Sequence, residues 1–188
     1  MIFKNYIQRY LDNISKLTNS IQIKNLEKAI KLITKAYTNH KQIILIGNGG
    51  SASTASHITC DLSKSTIKPD HPRLKVFCLS DNIPLITAWS NDTHYDNIFS
   101  EQLLNIINKG DVVIAFSGSG NSPNVIKAID TANKAGGITI GLSGFKGGKL
   151  STMVACSIIV NSNNMQQIED IHLIIGHIIF SFIRDTIE

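Results

Sequence analysis

The feature that most constrains this chain is an apolar run that ends at a glycine-rich turn. Residues 43–46 read Ile-Ile-Leu-Ile, and Gly-Asn-Gly-Gly-Ser follows at 47–51. Four consecutive apolar residues predict a strand buried on both faces, as in a parallel sheet. The glycines allow a tight turn, and a helix that begins at the serine leaves its first N–H groups free for an anion. The stretch favours anion binding, although an ordinary strand-to-helix turn has the same composition.

A second loop of the same kind follows the apolar residues 111–116. Its sequence at 117–123 is Ser-Gly-Ser-Gly-Asn-Ser-Pro, and a proline suits the first turn of a helix. The serine hydroxyls can donate to phosphate oxygens alongside backbone N–H groups. Since the carboxyl ends of parallel strands meet at one edge of a sheet, the two loops are expected to lie together there. The repetition favours ligand binding.

The remaining pattern alternates between apolar runs and helical spacing, which predicts an α/β fold with a parallel sheet. Further strands are predicted at residues 74–79, 111–116, 137–142 and 154–160. Helices are predicted at residues 51–63, 96–108, 123–135 and 165–186, and a short helix or turn is predicted at residues 84–90.

Residues 2–39 precede the first strand and predict two helices with a break at Asn19 and Ser20. A helix in this position has no obvious place in the sheet. We therefore expect the first helix to pack on a partner subunit or on the far end of the chain, and the alternative is that it covers its own sheet.

Composition narrows the function classes. The chain has 188 residues, enough for one domain with a substantial core, and a formal net charge of +4. Its lysines and arginines are scattered, which gives little support to a nucleic-acid or membrane partner. Three cysteines without metal-ligand spacing predict reduced thiols in a cytoplasmic protein. No signal peptide or membrane span is predicted.

Four polar residues stand out on two predicted helices. His57 and Asp61 are four residues apart, which places them on one helix face. Glu169 and His177 lie within an otherwise apolar helix, about 80° apart around its axis. Two imidazoles and two carboxylates suit zinc or another divalent ion such as Mn, Fe or Co. The alternatives are a surface contact for the first pair and a hydrogen-bonded core histidine for the second.

With these residues assembled, the chain resembles the SIS (sugar isomerase) domain family over nearly its whole length, and within it the phosphoheptose isomerase branch. The motifs that carry the resemblance are residues 47–51 with His57, Asn91-Asp92, residues 117–122, and residues 168–172 with His177. The serine loop marks the wider family, and the two helical histidines indicate the heptose branch.

The resemblance implies a site, a reaction and an assembly. It implies conversion of sedoheptulose 7-phosphate to D-glycero-D-manno-heptose 7-phosphate through an enediol, in nucleotide-activated heptose and lipopolysaccharide synthesis, by a cytoplasmic homotetramer. The substrate-binding set that it implies is Asn48, Gly49, Gly50, Ser51, Asn91, Asp92, Ser117, Gly118, Ser119, Ser122 and Glu169. The implied zinc ligands are His57, Asp61, Glu169 and His177, and the implied catalytic residues are Asp61, His177 and Glu169.

Several positions depart from the family pattern. Asp61 stands where the family has glutamate, and Glu169 stands where it has glutamine. With two carboxylates the ligand set neutralises a divalent ion, which predicts tighter cation binding and a weaker Lewis acid. Ser65 occupies the place of an arginine, and Gly118 that of a threonine.

We interpret the chain as one three-layer α/β/α sandwich, residues 1–188, in which residues 1–40 form an N-terminal helical extension that packs in an oligomer. Two other functions stay open from the sequence. One is a non-catalytic SIS protein that binds a partner such as a replication initiator, and the other is an isomerase of a different phosphosugar.

Overall fold

A parallel sheet forms the centre of the computed structural model, which describes residues 2–186. Within these residues the strands are β1 (Gln42–Gly47), β2 (Lys75–Cys78), β3 (Val112–Ser117), β4 (Ile138–Ser143) and β5 (Cys156–Ile159), in the order β2-β1-β3-β4-β5. The chain adds β2 on one side of β1 and then returns to add β3 on the other side. The carboxyl ends of β1 and β3 therefore form the switch point of the sheet, which is where α/β proteins bind ligands.

Helices cover both faces of this sheet. They are α1 (Ile2–Asn19), α2 (Ile23–Thr38), α3 (Gly50–Lys64), α4 (Ile83–Asp92), α5 (Ser100–Leu104), α6 (Pro123–Lys134), α7 (Leu150–Met153) and α8 (Met165–Thr186), with a 3-10 turn at Tyr95–Asn97. Residues of α2, α3 and α8 pack on one face, and residues of α5, α6 and α7 pack on the other.

Strand β1 shows why the sheet is covered twice. Ile43 and Leu45 face the α2, α3 and α8 side, whereas Ile44 and Ile46 face the opposite side, and all four are fully buried. Successive side chains of a strand point to opposite faces, so an unbroken apolar run requires two apolar layers. The predicted three-layer sandwich with a parallel sheet is confirmed.

The two N-terminal helices behave differently. Helix α2 supplies Leu26, Ala29, Ile33 and Ala36 to the core, whereas α1 has no buried residue. Helix α1 lies against α8, at the far end of the chain, as one of the two predictions had it. Its outer face is apolar and exposed, at Ile2, Phe3, Tyr6, Ile7 and Leu11. Packing of these helices in an oligomer stays a prediction.

A hydrogen bond joins α1 to α8. The Tyr10 hydroxyl donates to Asp170 Oδ2 at 2.6 Å. This bond to a carboxylate, together with desolvation, raises the pKa of Tyr10 to about 12.

Two predicted elements differ from the structure. The helix predicted at residues 96–108 is divided into the 3-10 turn and the five-residue α5. Beyond α5, the Asn108 N–H donates to the Asp111 carboxylate at 2.7 Å, which draws the chain out of helical geometry. The strand predicted at residues 154–160 is limited to Cys156–Ile159, and the short α7 before it was not predicted.

No helix within residues 2–186 has both the length and the apolar content that a membrane span requires.

His172 on α8 is a polar residue at the centre of the core. Its side chain is fully buried, and among residues 2–186 neither ring nitrogen has a hydrogen-bond partner of ordinary geometry. Its ring lies 6.1 Å from that of Phe116. Burial lowers the pKa of His172 to about 4, while the backbone of Ser143 acts in the opposite direction. The imidazole is therefore neutral at physiological pH.

We predict that His172 makes the fold sensitive to acid. An unfolded histidine titrates near pH 6.5, so between about pH 6.5 and 4 the unfolded chain binds a proton that the native chain does not. Stability is complete above this window and declines as the pH falls through it, by up to about 3 kcal/mol. Denaturant unfolding at pH 5 and pH 7.5, with chelator present and at one protein concentration, should show a smaller pH difference for His172→Leu than for the wild type.

The matched control is His40→Asn, because His40 is exposed and asparagine tolerates its positive φ of 55°. This control should keep the wild-type difference between the two pH values. An unchanged difference in His172→Leu would contradict the assignment.

Candidate functional site

The first loop, residues 47–51, turns the chain from β1 directly into α3. Gly49 has φ +56° and ψ −125°, a conformation that glycine adopts without strain. A Cβ at Gly47 would stand 2.6 Å from the carbonyl oxygen of Ser51, so the close return of the backbone requires glycine there as well. Helix α3 begins with no side-chain cap. Its first N–H groups and the positive end of its dipole therefore suit an anion.

The second loop, residues 117–122, leads from β3 into α6 and carries three serines. The hydroxyls of Ser117 and Ser122 lie 3.2 Å apart, so one donates to the other and one proton stays free. The Ser119 hydroxyl oxygen accepts from the Asn121 N–H at 3.2 Å, which leaves its own proton free to donate. The N-cap residue of α6, Ser122, makes no side-chain cap hydrogen bond, although Asn124 Oδ1 accepts from the Val125 N–H. The loop thus offers hydroxyl and backbone donors together.

The two loops face each other across one cavity of about 250 Å³, here called the anion cavity. Nine of the predicted substrate-binding residues line it: Asn48, Gly49, Gly50, Ser51, Ser117, Gly118, Ser119, Ser122 and Glu169. Phe116 and Met165 complete the wall and were not predicted. Phe116 reads as an ordinary strand residue, and Met165 as an ordinary helix start, so no sequence signal marked them.

Met165 accounts for the unusual glycine in the second loop. A Cβ at Gly118 would overlap the Met165 sulfur. The methionine side chain thus fills the space that a larger residue at position 118 would occupy. Met165 is 36% exposed, so its flexible thioether can adapt at the mouth of the cavity.

Asn91 and Asp92 are not among the residues that line the anion cavity. They form the C-terminal end of α4, where both are exposed and the Asn91 amide donates to the Asp92 carboxylate at 2.9 Å. Their predicted contact with substrate stays a prediction.

Three of the four predicted metal ligands meet between α3 and α8. The ligand atoms of His57, Asp61 and His177, here called the metal cluster, lie within 4.8 Å of one another. The two Nε2 atoms are 3.0 Å apart, and Asp61 Oδ2 lies 3.4 Å from His57 Nε2 and 3.7 Å from His177 Nε2. Tetrahedral zinc with bonds of about 2.0–2.1 Å places its ligands about 3.3 Å apart. The donor types and separations therefore fit a zinc ion.

Glu169 is not part of this three-residue cluster. Its carboxylate lies against Gly50 at the start of α3, where a Cβ on that glycine would overlap it. Eight residues of helix separate it from His177, which is about 12 Å along the axis. The structure therefore places Glu169 on the wall of the anion cavity, and its predicted role as a metal ligand stays a prediction.

The close packing of α3 on α8 holds both features. A Cβ at Gly176 would stand 2.6 Å from Cδ1 of Ile58, so the glycine permits the two helices to approach. Gly50 faces Glu169 and His57 faces His177, so α3 and α8 run in the same direction. One helix pair thus connects the anion cavity to the metal cluster.

Comparison with known proteins adds the family. The SIS domain model matches residues 5–144 of the chain. The chain belongs to the SIS domain family, in its phosphoheptose isomerase branch. It is 35% identical over 189 residues to the phosphoheptose isomerase of Sulfurimonas denitrificans, covering 98% of this chain and 96% of the relative. The phosphoheptose isomerase of Aneurinibacillus thermoaerophilus is 37% identical and 92% of each chain is covered.

A solved structure supports the same assignment. The phosphoheptose isomerase GmhA from Neisseria gonorrhoeae superposes with a TM-score of 0.90 at 26% identity, covering all of both chains. The family model ends at residue 144, before Glu169 and His177, so this structural match also covers α8, which the model does not reach.

We predict that Gly118 and Met165 are energetically coupled. Gly118→Thr alone collides with the Met165 side chain and should cost about 1–3 kcal/mol of stability and weaken phosphate binding. Adding Met165→Ala should recover most of both losses, because the overlap is removed. Thermal unfolding and calorimetric titration with inorganic phosphate measure the two effects.

The matched control is Met153→Ala in the Gly118→Thr background, since Met153 lies on α7 and does not line the anion cavity. It should recover neither loss. Equal recovery by the two methionine substitutions would refute the coupling.

Proposed function

We propose that the protein is a phosphoheptose isomerase that interconverts sedoheptulose 7-phosphate and D-glycero-D-manno-heptose 7-phosphate. The observation that carries the proposal is the presence, along one pair of helices, of a serine-rich anion cavity and a cluster of two imidazoles and one carboxylate. The relatives that bear this name match nearly the whole chain, which supports the substrate.

The sugar phosphate is held, in this proposal, by its phosphate in the anion cavity. Ser117, Ser119 and Ser122 supply hydroxyl donors, the start of α3 supplies backbone N–H groups, and the N-termini of α3 and α6 both add favourable dipoles. These donors bind an anion without a lysine or arginine in the cavity wall. The Glu169 carboxylate on the same wall disfavours close approach by the phosphate, so the phosphate is assigned to the serine side.

His57, Asp61 and His177 are assigned as the residues that would hold a divalent ion, and zinc fits their nitrogen and oxygen donors. Such an ion would supply Lewis-acid polarisation of the sugar carbonyl. Asp61 carries the one carboxylate of the metal cluster, and its shorter side chain approaches His57 on its own helix and His177 across the gap between the helices.

The reaction moves a proton between C1 and C2 of the sugar. A general base removes it from one carbon and returns it to the other, while an acid–base partner serves the two oxygens. We assign Glu169, which lines the anion cavity, as the general base that moves the carbon-bound proton. Asp61 is the alternative base. His177 is assigned as the acid–base partner.

The assembly and location complete the proposal. A homotetramer in the cytoplasm would cover the exposed apolar face of α1, whose Ile2 and Phe3 are each 82% exposed. The product would enter nucleotide-activated heptose synthesis for lipopolysaccharide.

The first prediction of this proposal concerns exchange of the C1 and C2 protons. Purified protein should exchange a C1 proton of sedoheptulose 7-phosphate, whose C2 is the carbonyl carbon, and the C2 proton of the heptose product with solvent deuterium, since the base holds the abstracted proton while the enediol is bound. NMR should show that chelation abolishes the exchange and that Zn²⁺ restores it. If the protons of another phosphosugar exchange and those of sedoheptulose 7-phosphate do not, the other sugar is the substrate. No exchange with any phosphosugar or metal would favour a non-catalytic SIS protein.

The second prediction separates the two carboxylates. Asp61→Asn should weaken Zn²⁺ binding by at least about tenfold, because even an indirect partner of a ligand contributes that much. Glu169→Gln should retain Zn²⁺ and lower kcat about 10²–10⁴-fold, the usual contribution of a general base. Metal titration and steady-state kinetics measure the two effects.

Asp185→Asn is the matched control, because Asp185 lies on the same helix α8, is exposed, and pairs with the neighbouring Arg184. It should change neither property. If Asp61→Asn keeps full zinc affinity but loses turnover, the roles of the two carboxylates are reversed.

A further inference from the structure

The Asn48 side chain in the first loop is held by other side chains. Its Nδ2 donates to Asn124 Oδ1 at 2.8 Å, and its Oδ1 accepts from Asn124 Nδ2 at 2.9 Å. The Tyr95 hydroxyl donates to the same Asn48 oxygen at 3.0 Å. Two amides that bond reciprocally form a closed ring of two hydrogen bonds, here called the amide pair.

The orientation of the amide pair is determined by a backbone group. The Val125 N–H donates to Asn124 Oδ1 at 2.9 Å. Because a backbone N–H can only donate, the Asn124 atom that it contacts is the oxygen. The other amide atom of Asn124 is then the nitrogen, so its partner on Asn48 must be an oxygen. That oxygen also suits the Tyr95 hydroxyl.

The amide pair joins the two loops of the anion cavity. Asn48 belongs to the first loop, and Asn124 lies in the first turn of α6, directly after the second loop. Asn124 is only 1% exposed, so its amide has no access to bulk solvent and depends on these partners. Tyr95 reaches Asn48 from the 3-10 turn on the other side.

The first loop needs such a constraint. It contains three glycines, and glycine loses more conformational freedom on ordering than any other residue. A loop that is already ordered binds its ligand without this entropic cost. Neither Asn124 nor Tyr95 lines the anion cavity, and the side chain of each contacts the cavity-lining Asn48.

We propose that Asn124 and Tyr95 are positioning residues that hold the Asn48 side chain, so that the first loop is already ordered where it borders the anion cavity when the ligand binds. The inference rests on the proposed function, because it takes a sugar phosphate as the ligand. In this proposal the Asn48 amide orders the first loop.

The test is a double-mutant cycle between Asn48→Ala and Tyr95→Phe, read by the Kd for inorganic phosphate and by KM and kcat for sedoheptulose 7-phosphate. Tyr95→Phe should raise Kd and KM about threefold in the wild type, the loss expected for one hydrogen bond. In the Asn48→Ala background it should have no effect, since its partner is gone. The value of kcat should stay within about twofold, because Tyr95 lines neither the anion cavity that holds Glu169 nor the metal cluster.

Asn124→Asp provides the second arm. It keeps the oxygen that accepts from Val125 but removes the donor to Asn48, so Kd and KM should rise about tenfold. The matched control is Asn133→Ala on the same helix, whose amide donates to the Met153 carbonyl at 2.9 Å, far from both loops. This control should lower the melting temperature and leave Kd unchanged.

The outcomes separate the inference from the proposed function. If the wild type binds phosphate but turns over no heptose phosphate, the proposed function fails and the phosphate Kd alone decides the inference. Additive effects in the cycle, or a loss confined to Asn48→Ala, would show that Asn48 contacts the ligand directly and would overturn the inference. A wild type that binds no phosphate overturns it as well.

Discussion

All strands of the described sheet run in the same direction, and the site depends on this constraint. In a parallel sheet every strand-to-helix connection leaves from the same edge, so loops distant in sequence emerge side by side. Here β1 and β3 are neighbours, with Gly47 paired to Phe116, and their loops consequently share one cavity. The donors of that cavity are backbone and hydroxyl groups, whose positions are determined by strand register and helix start.

The contact of α8 with α3 adds the second half of the site. Gly176 allows Ile58 to approach closely, and the same packing sets His177 opposite His57 and Asp61. Residues from the middle and the end of the chain thus form one ligand set. A larger residue at position 176 would press on the buried Ile58 side chain and move α3 away from α8. A glycine, which has no side chain, thus controls the geometry of the three residues of the metal cluster.

Much of this arrangement could be predicted from the sequence because the signals were local. The buried run before the first loop, the glycines and serines, and the i, i+4 pair His57 and Asp61 each follow from short-range rules. Glu169 shows where such rules stop. Helix periodicity placed it near the same direction as His177, but its position beside Gly50 depends on the alignment of two helices, which the sequence of neither one reveals.

Long-range contacts account for the other differences. Asp111 draws Asn108 out of the predicted helix, and Met165 fills the space beside Gly118 from a distant part of the chain. Tyr95 and Asn124 read as an ordinary turn tyrosine and helix-start asparagine, and only the fold brings them to Asn48.

The parallel alignment of α3 and α8 also sets a fixed distance between the anion cavity and the metal cluster. Gly50 marks the anion cavity and His57 marks the metal cluster, and the step of seven positions from one to the other corresponds to about 10 Å of helix rise. A ligand anchored by its anion reaches the metal cluster only if the chain behind that anion spans this distance. The main chain of helix α3 therefore discriminates between phosphorylated ligands by their length. A short phosphorylated metabolite could fill the anion cavity without contacting the histidines.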